Sequence, residues 1–107
     1  MAKVRAQRGS DNVFKDLGFP NPEEALLKAD LVVLITRRVR SRGISQTEAG
    51  AVLGIPQSKV SDLLRGKLRG FSVERLLGFL LKLGNDVEIS VRQRPGRGNL
   101  GHLRLSA

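Results

Sequence analysis

The chain has 107 residues, 40% of them hydrophobic and 4% aromatic, and 19 Lys and Arg against 10 Asp and Glu give it a formal charge of +9. That length suits one domain with a modest aliphatic core, and the charge favours a polyanionic partner, either nucleic acid or an anionic membrane surface. No cysteine and a single histidine, His102, exclude disulfides, thiolate metal sites and paired imidazole ligands, so neither metal nor cofactor is expected.

The first stretch, 1–11, is basic and aperiodic and reads as a disordered arm. Lys3, Arg5 and Arg8 lead into no apolar run, so no secretory signal is read there, and the expected compartment is the cytoplasm. In 12–21, Phe14, Leu17 and Phe19 stand among turn residues, as anchors of an extension lying on the domain. A long helix is predicted from Pro22, behind Asn21 as N-cap and with Glu23 and Glu24 at the positive dipole end. Its apolar positions Leu27, Leu31, Leu34, Ile35 and Val39 recur at helical spacing, and Gly43 ends it. The run from Leu31 to Ile35 is far shorter than the ~20 residues a membrane helix needs. Val32 and Val33 widen the apolar face, for deep packing or for a dimer contact. Arg37, Arg38, Arg40 and Arg42 crowd the last turns, where the helix dipole alone accounts for cations.

Ser45 and Glu48 form a capping box, so a second helix runs over 46–53 and stops at Gly54. A third begins at Pro56 or Gln57 and ends before Gly66. Ser72 caps a fourth over 73–83, in which Leu76, Leu77, Leu80 and Leu83 repeat helically before Gly84 and Asn85. The period then changes: over 86–93, Val87, Ile89 and Val91 alternate with Glu88, Ser90 and Arg92, which predicts a short β-strand. The remainder, 94–107, is Gly-rich and basic and reads as a flexible tail. Residues 12–85 thus make the domain with its N-terminal extension, followed by a strand and a tail.

The register of Gln46 to Arg65 carries the functional signal. A reading helix-turn-helix needs a small residue where its helices cross, a Gly in the turn and an apolar trio seating the second helix. Gly50, Gly54 and the trio Ile55, Val60 and Leu63 meet those needs. Gln57, Ser58, Lys59, Ser61 and Asp62 are left facing outward, polar and able to reach base edges.

These residues resemble the lambda-repressor-like, or XRE-type, helix-turn-helix family, the match lying in Gln46, Glu48, Ala49, Leu53-Gly54-Ile55, Gln57, Val60, Ser61 and Leu63. The resemblance implies an all-α bundle of four or five helices, here with a short C-terminal β-strand. It also implies that Gln46 binds phosphate and braces Gln57, which reads a base. Gly50 departs from the family's usual Ala, at ~1 kcal/mol of helix propensity. The flanks, Asn12-Val-Phe, Asp16-Leu-Gly-Phe, Pro22-Glu-Glu-Ala, Phe71-Ser-Val-Glu-Arg-Leu and Leu83-Gly-Asn-Asp-Val-Glu-Ile, look like HigA-like antitoxins. Such proteins are encoded beside RelE/ParE-type toxins, neutralise them and repress their own operon. The resemblance spans about residues 11–93.

Base reading is therefore expected from Gln57, Ser58, Ser61 and Asp62. The last serves to reject wrong sequences or to make a structural contact, since a carboxylate near phosphates is repelled unless it accepts from cytosine. Phosphate contacts are expected from Gln46, Lys59, Arg65, Lys67 and Arg69, whose charges continue past the reading helix. A lone strand needs a partner, and no second clear strand appears in the sequence. Pairing with the same strand of a second copy, through Val87, Ile89 and Val91, makes a two-fold dimer with reading helices about one DNA turn apart. The expected protein is a sequence-specific DNA-binding regulator, antitoxin and autorepressor, with operator DNA, a second copy and a toxin as partners. A stand-alone XRE-type regulator is the alternative. A non-specific nucleoid or RNA-binding protein is a third reading, but it leaves the polar face unexplained. The Ser, Asp and His residues suggest no catalytic grouping, and no enzyme is expected.

Overall fold

A computed structural model describes residues 22–96 and 100–106. The basic arm, the anchors Phe14, Leu17 and Phe19, and the Asn21 cap lie outside the described residues. Four helices follow in order: α1 (Pro22–Arg42), α2 (Gln46–Leu53), α3 (Gln57–Leu64) and α4 (Val73–Lys82).

Charge and apolar spacing together explain α1. Glu23 and Glu24 occupy its first turn and Arg40 and Arg42 its last, each complementing the dipole. Leu27, Leu31, Val32, Ile35 and Val39 form its buried stripe, while Val33 remains 47% exposed. Of the widened apolar face, Val32 belongs to the core and Val33 to the surface. α4 lies against α1 and buries Leu76, Phe79 and Leu80, with Leu83 just beyond it. The centre of the core is fully enclosed at Leu31, Ile35, Leu53, Val60, Leu63 and Leu76. Burying one such side chain contributes ~1.5–3 kcal/mol.

Two of the arginines expected to serve only the dipole also tie α1 to the end of α4. Arg38 Nε donates to Asn85 Oδ1 at 2.7 Å, and Arg42 Nη2 donates to the Leu83 carbonyl at 3.0 Å. Asn85 in turn donates both its backbone N–H and Nδ2 to the Leu80 carbonyl, closing the helix end that Gly84 turns at φ 86°. Lys82 Nζ donates to the Leu53 carbonyl at 3.1 Å, so α4 is fastened to α2 as well.

The segment after α4 departs from the expected strand. Among the described residues no strand forms over 86–93; the chain there makes no ladder. The physical reason is the one that called for a partner, since a strand without a neighbour has nothing to bond. Val87 is half-buried against the core, whereas Ile89 is 40% and Val91 58% exposed. Further on, past Gly101, Leu103 and Leu105 rest on the core and His102 Nδ1 lies 2.6 Å from Glu23 Oε1. The Leu103 N–H also donates to Glu23 Oε2 at 3.4 Å. Hydrogen bonding from His102, ahead of a small opposing desolvation, holds the Glu23 carboxyl below the usual range.

α2 and α3 form the pair on which the site rests. Ser45 Oγ accepts from the Glu48 N–H at 3.1 Å and Glu48 Oε1 accepts from the Ser45 N–H at 2.8 Å, completing the predicted capping box. Those bonds lower the Glu48 carboxyl from its ordinary value. Gly54 takes the left-handed conformation at φ 76°, and the N–H groups of Gly54 and Ile55 both donate to the Gly50 carbonyl. At Gly50 a Cβ would sit 2.6 Å from the Ile55 carbonyl oxygen and 3.5 Å from Val60 Cγ2. The departure from the family's Ala therefore has a steric reason in this chain.

Gly50→Ala gains ~1 kcal/mol of helix propensity but pushes a methyl into backbone, a strain of about 1–3 kcal/mol. The expected net outcome is a lower melting temperature in calorimetry, and an unchanged or higher one would show that the turn moves aside freely.

Candidate nucleic-acid interface

α3 divides cleanly. Val60 and Leu63 are fully buried, and Ile55 just before the helix is 7% exposed. Gln57, Ser58 and Lys59 are exposed, while Ser61 and Asp62 are half-buried on the flank. Four of α3's eight residues, Gln57, Ser58, Ser61 and Asp62, make the expected reading set, one turn apart in pairs.

Gln46 opens α2 and is half-buried. Gln57 Nε2 donates to Gln46 Oε1 at 2.6 Å, bridging the two helices at the outer surface. The bond uses the Gln46 oxygen and leaves its NH₂ group as a donor. It also leaves Gln57 with one N–H and its own carbonyl oxygen, a donor and an acceptor side by side. Gln46 and Gln57 are thereby brought together as the resemblance implied.

Asp62 and Arg65 are brought together too, their side chains 3.6 Å apart across one turn. The Asp62 backbone carbonyl also accepts from the Arg65 and Lys67 N–H groups, at 3.2 and 2.8 Å. Asp62 thus organises the end of α3. Beyond it the chain turns at Gly66 (φ 79°) and Gly70 (φ 89°), with Arg65, Lys67 and Arg69 all exposed. Among the described residues Lys59, Lys67 and Arg69 pair with no carboxylate. The result is a polar face flanked by uncompensated cations.

Sequence reasoning missed Arg75. Its guanidinium lies 5.4 Å from the Phe71 ring centroid and 5.6 Å from that of Phe79. The signal was present, since Phe71, Arg75 and Phe79 are spaced at i, i+4 and i+8. The predicted dimer residues lie apart from this face, on the segment after α4.

Among the described residues no group of three His, Asp or Glu side chains is placed to hold a metal, and no helix is long and apolar enough to cross a membrane. Two grooves lie beside α1 and α4, lined in common by Leu31, Leu77, Val87 and Leu105. The exposed and half-buried polar side chains of α3, Gln57, Ser58, Lys59, Ser61 and Asp62, offer hydrogen bonding and charge.

Residues 13–92 match the family model described as a helix-turn-helix domain. A solved structure named for the XRE family of transcriptional regulators is 40% identical, with a TM-score of 0.74 and a match covering 82% of this chain and 99% of that one. Among curated proteins none matches the chain.

Proposed function

This chain belongs to the helix-turn-helix domain family, of the XRE type, and from that premise we propose that it is a transcriptional regulator that reads double-stranded operator DNA with α3. One observation carries the reading: the 2.6 Å bond from Gln57 to Gln46, set in a polar face beside exposed cations. A binder needing only charge has no use for an amide locked in one orientation. Gln57 offers the donor and acceptor that match the N7 and N6 edge of adenine in the major groove. Gln46 turns its NH₂ to a phosphate, so the pair couples backbone position to base identity. Ser58 and Ser61 reach neighbouring bases, and Lys59, Arg65, Lys67 and Arg69 neutralise phosphates along the strand. Asp62 stands at the edge of the reading set, where it holds Arg65 and repels misplaced phosphate.

The functional unit is a homodimer built on 86–93. Val87, Ile89 and Val91 alternate with polar residues along the sequence, Ile89 and Val91 are exposed, and the backbone of this segment finds no backbone partner among the described residues. A second copy of the same strand supplies both an apolar cover and a ladder. Two α3 helices then face half-sites about one helical turn apart, the geometry of a repressor on an inverted repeat.

The narrower role is antitoxin and autorepressor beside a RelE/ParE-type toxin, supported by the resemblance of the flanking motifs. The acidic residues that would meet a basic toxin are Asp11, Asp16, Glu23 and Glu24; Glu23 is engaged by His102, and Asp11 and Asp16 lie outside the described residues.

Gln57→Ala is expected to cost about 1–3 kcal/mol of operator affinity while sparing a scrambled duplex. Lys59→Ala and Lys67→Ala are expected to weaken both duplexes and flatten the salt dependence by roughly one unit each. A Gln57→Ala chain that loses equally on both duplexes has no base-reading residue at that position.

Ile89→Asp puts a charge on the face the second copy covers, and a monomer is expected in sedimentation equilibrium. A surviving dimer would move the interface to α1 and its exposed Val33.

The product of the adjacent gene is expected to co-purify with the full chain. No association would leave the stand-alone regulator, with its operator binding intact.

A further inference from the structure

Arg75 is exposed in the first turn of α4, yet its guanidinium is held in place. Phe71 and Phe79 are 3% and 4% exposed and so belong to the core. Their rings meet edge to face, with centroids 6.0 Å apart and planes at 71°. They form a fixed corner, and the Arg75 guanidinium lies over both rings, 5.4 and 5.6 Å from the centroids.

The cation–π contact uses the charge of the guanidinium and none of its N–H donors, which stay available to a ligand. Among the described residues no carboxylate takes those donors. A long arginine ordinarily loses rotamer freedom when it binds, and here the rings have removed much of that freedom beforehand. The bland reading is that the aliphatic stem only seals the two rings from water. That task asks for neither a planar group nor a charge, and it does not place the charge over both centroids.

The position gives the ligand. Phe71 donates its backbone N–H to the Leu68 carbonyl at 3.0 Å, which fixes the aromatic corner to the loop carrying Arg65, Lys67 and Arg69. Arg75 is thus the next exposed cation after that series, carried from the end of α3 onto α4. We infer that Arg75 is a pre-oriented phosphodiester-binding residue, which extends the DNA footprint past the α3–α4 loop and grips the backbone with a planar, two-donor edge. The inference rests on the DNA-reading function proposed above. A backbone grip contributes to every sequence alike, so it adds affinity and fixes the angle of approach without choosing bases.

The test uses the full chain on operator and scrambled duplexes across a salt series, with melting temperatures measured in parallel. Arg75→Met keeps an unbranched apolar cover over the rings and removes the charge. It is expected to weaken both duplexes by the same factor and to flatten the slope of log K against log salt by about 0.9 per bound chain, so that the deficit shrinks about eightfold per bound chain between 0.1 and 1 M salt. An unchanged slope with the wild-type slope steep overturns the inference and leaves the reading of DNA by α3 standing. A wild-type chain with no salt-dependent binding to either duplex overturns that reading, and the inference with it. If Arg75→Met melts early, Arg75→Lys decides: it keeps the charge and loses the planar fork. A retained slope with lower affinity on both duplexes supports the inference, and wild-type affinity overturns it.

Discussion

There is no room for a methyl group between α2 and the turn that follows it. The Ile55 carbonyl occupies the space a Cβ on Gly50 would need, 2.6 Å away, and that contact sets how near the axes of α2 and α3 lie. The rest of the site depends on this approach. The Gly50 carbonyl accepts from both Gly54 and Ile55, which fixes the left-handed turn. The turn delivers Ile55, Val60 and Leu63 to the core, and seating that trio leaves Gln57, Ser58, Ser61 and Asp62 outside or on the flank. The reach from Gln57 to Gln46 closes only because the two helices are this close. A polar face whose orientation follows from buried backbone contacts is already rigid before any ligand arrives, which lowers the entropic cost of recognition.

The basic residues of this chain divide by what they touch. Arg38, Arg42 and Lys82 spend their donors on Asn85, Leu83 and Leu53, and so fasten α1, α2 and α4 to one another. Arg65 is tempered by Asp62, and Arg75 lies on aromatic rings. Lys59, Lys67 and Arg69 carry no such engagement among the described residues. A net charge of +9 is therefore a crude guide to where a polyanion docks. Lys59, Lys67 and Arg69 lie together at α3 and the loop after it, while Arg37 and Arg40 on α1 and Arg92 and Arg94 after α4 are exposed elsewhere. Local imbalance, rather than the total, shapes the field a duplex meets.

The parts of the fold legible in the sequence were those written in local chemistry. The Ser45 and Glu48 capping box, the turn at Gly54, the end of α4 at Gly84 and Asn85, and the burial of Val60 and Leu63 all follow from residues within a turn or two of one another. The arginine ties were not legible, because Arg38 and Asn85 stand 47 positions apart and nothing local marks them as partners. The docking of His102 against Glu23, 79 positions away, was hidden for the same reason. The Gly-rich stretch before it read as slack, although Leu103 and Leu105 repeat the alternation of Val87 and Ile89. At Gly50 the residue was noticed and its cost assigned to helix propensity. Only the position of the Ile55 carbonyl reveals that Ala does not fit.

The C-terminal segment bears on how folding and assembly relate. Leu31, Ile35, Leu53, Val60, Leu63 and Leu76 are enclosed within a single chain, so the helical core is complete without a second copy. Residues 86–93 are the opposite case, with Ile89 and Val91 exposed and no backbone ladder among the described residues. Folding of the α1–α4 unit and pairing of 86–93 are separable steps under the proposed dimer, the first set by burial and the second by chain concentration. Under the proposed dimer, operator affinity depends on concentration more steeply than the stability of the fold does, because the two reading faces act together only once the strands pair. The tail enters the same balance. His102 and Leu103 hold to Glu23 on α1, while the tail's apolar residues share one groove with Val87 and Ile89. An incoming strand therefore meets a surface partly covered by the chain's own C-terminus, and must either pair beside that cover or displace it.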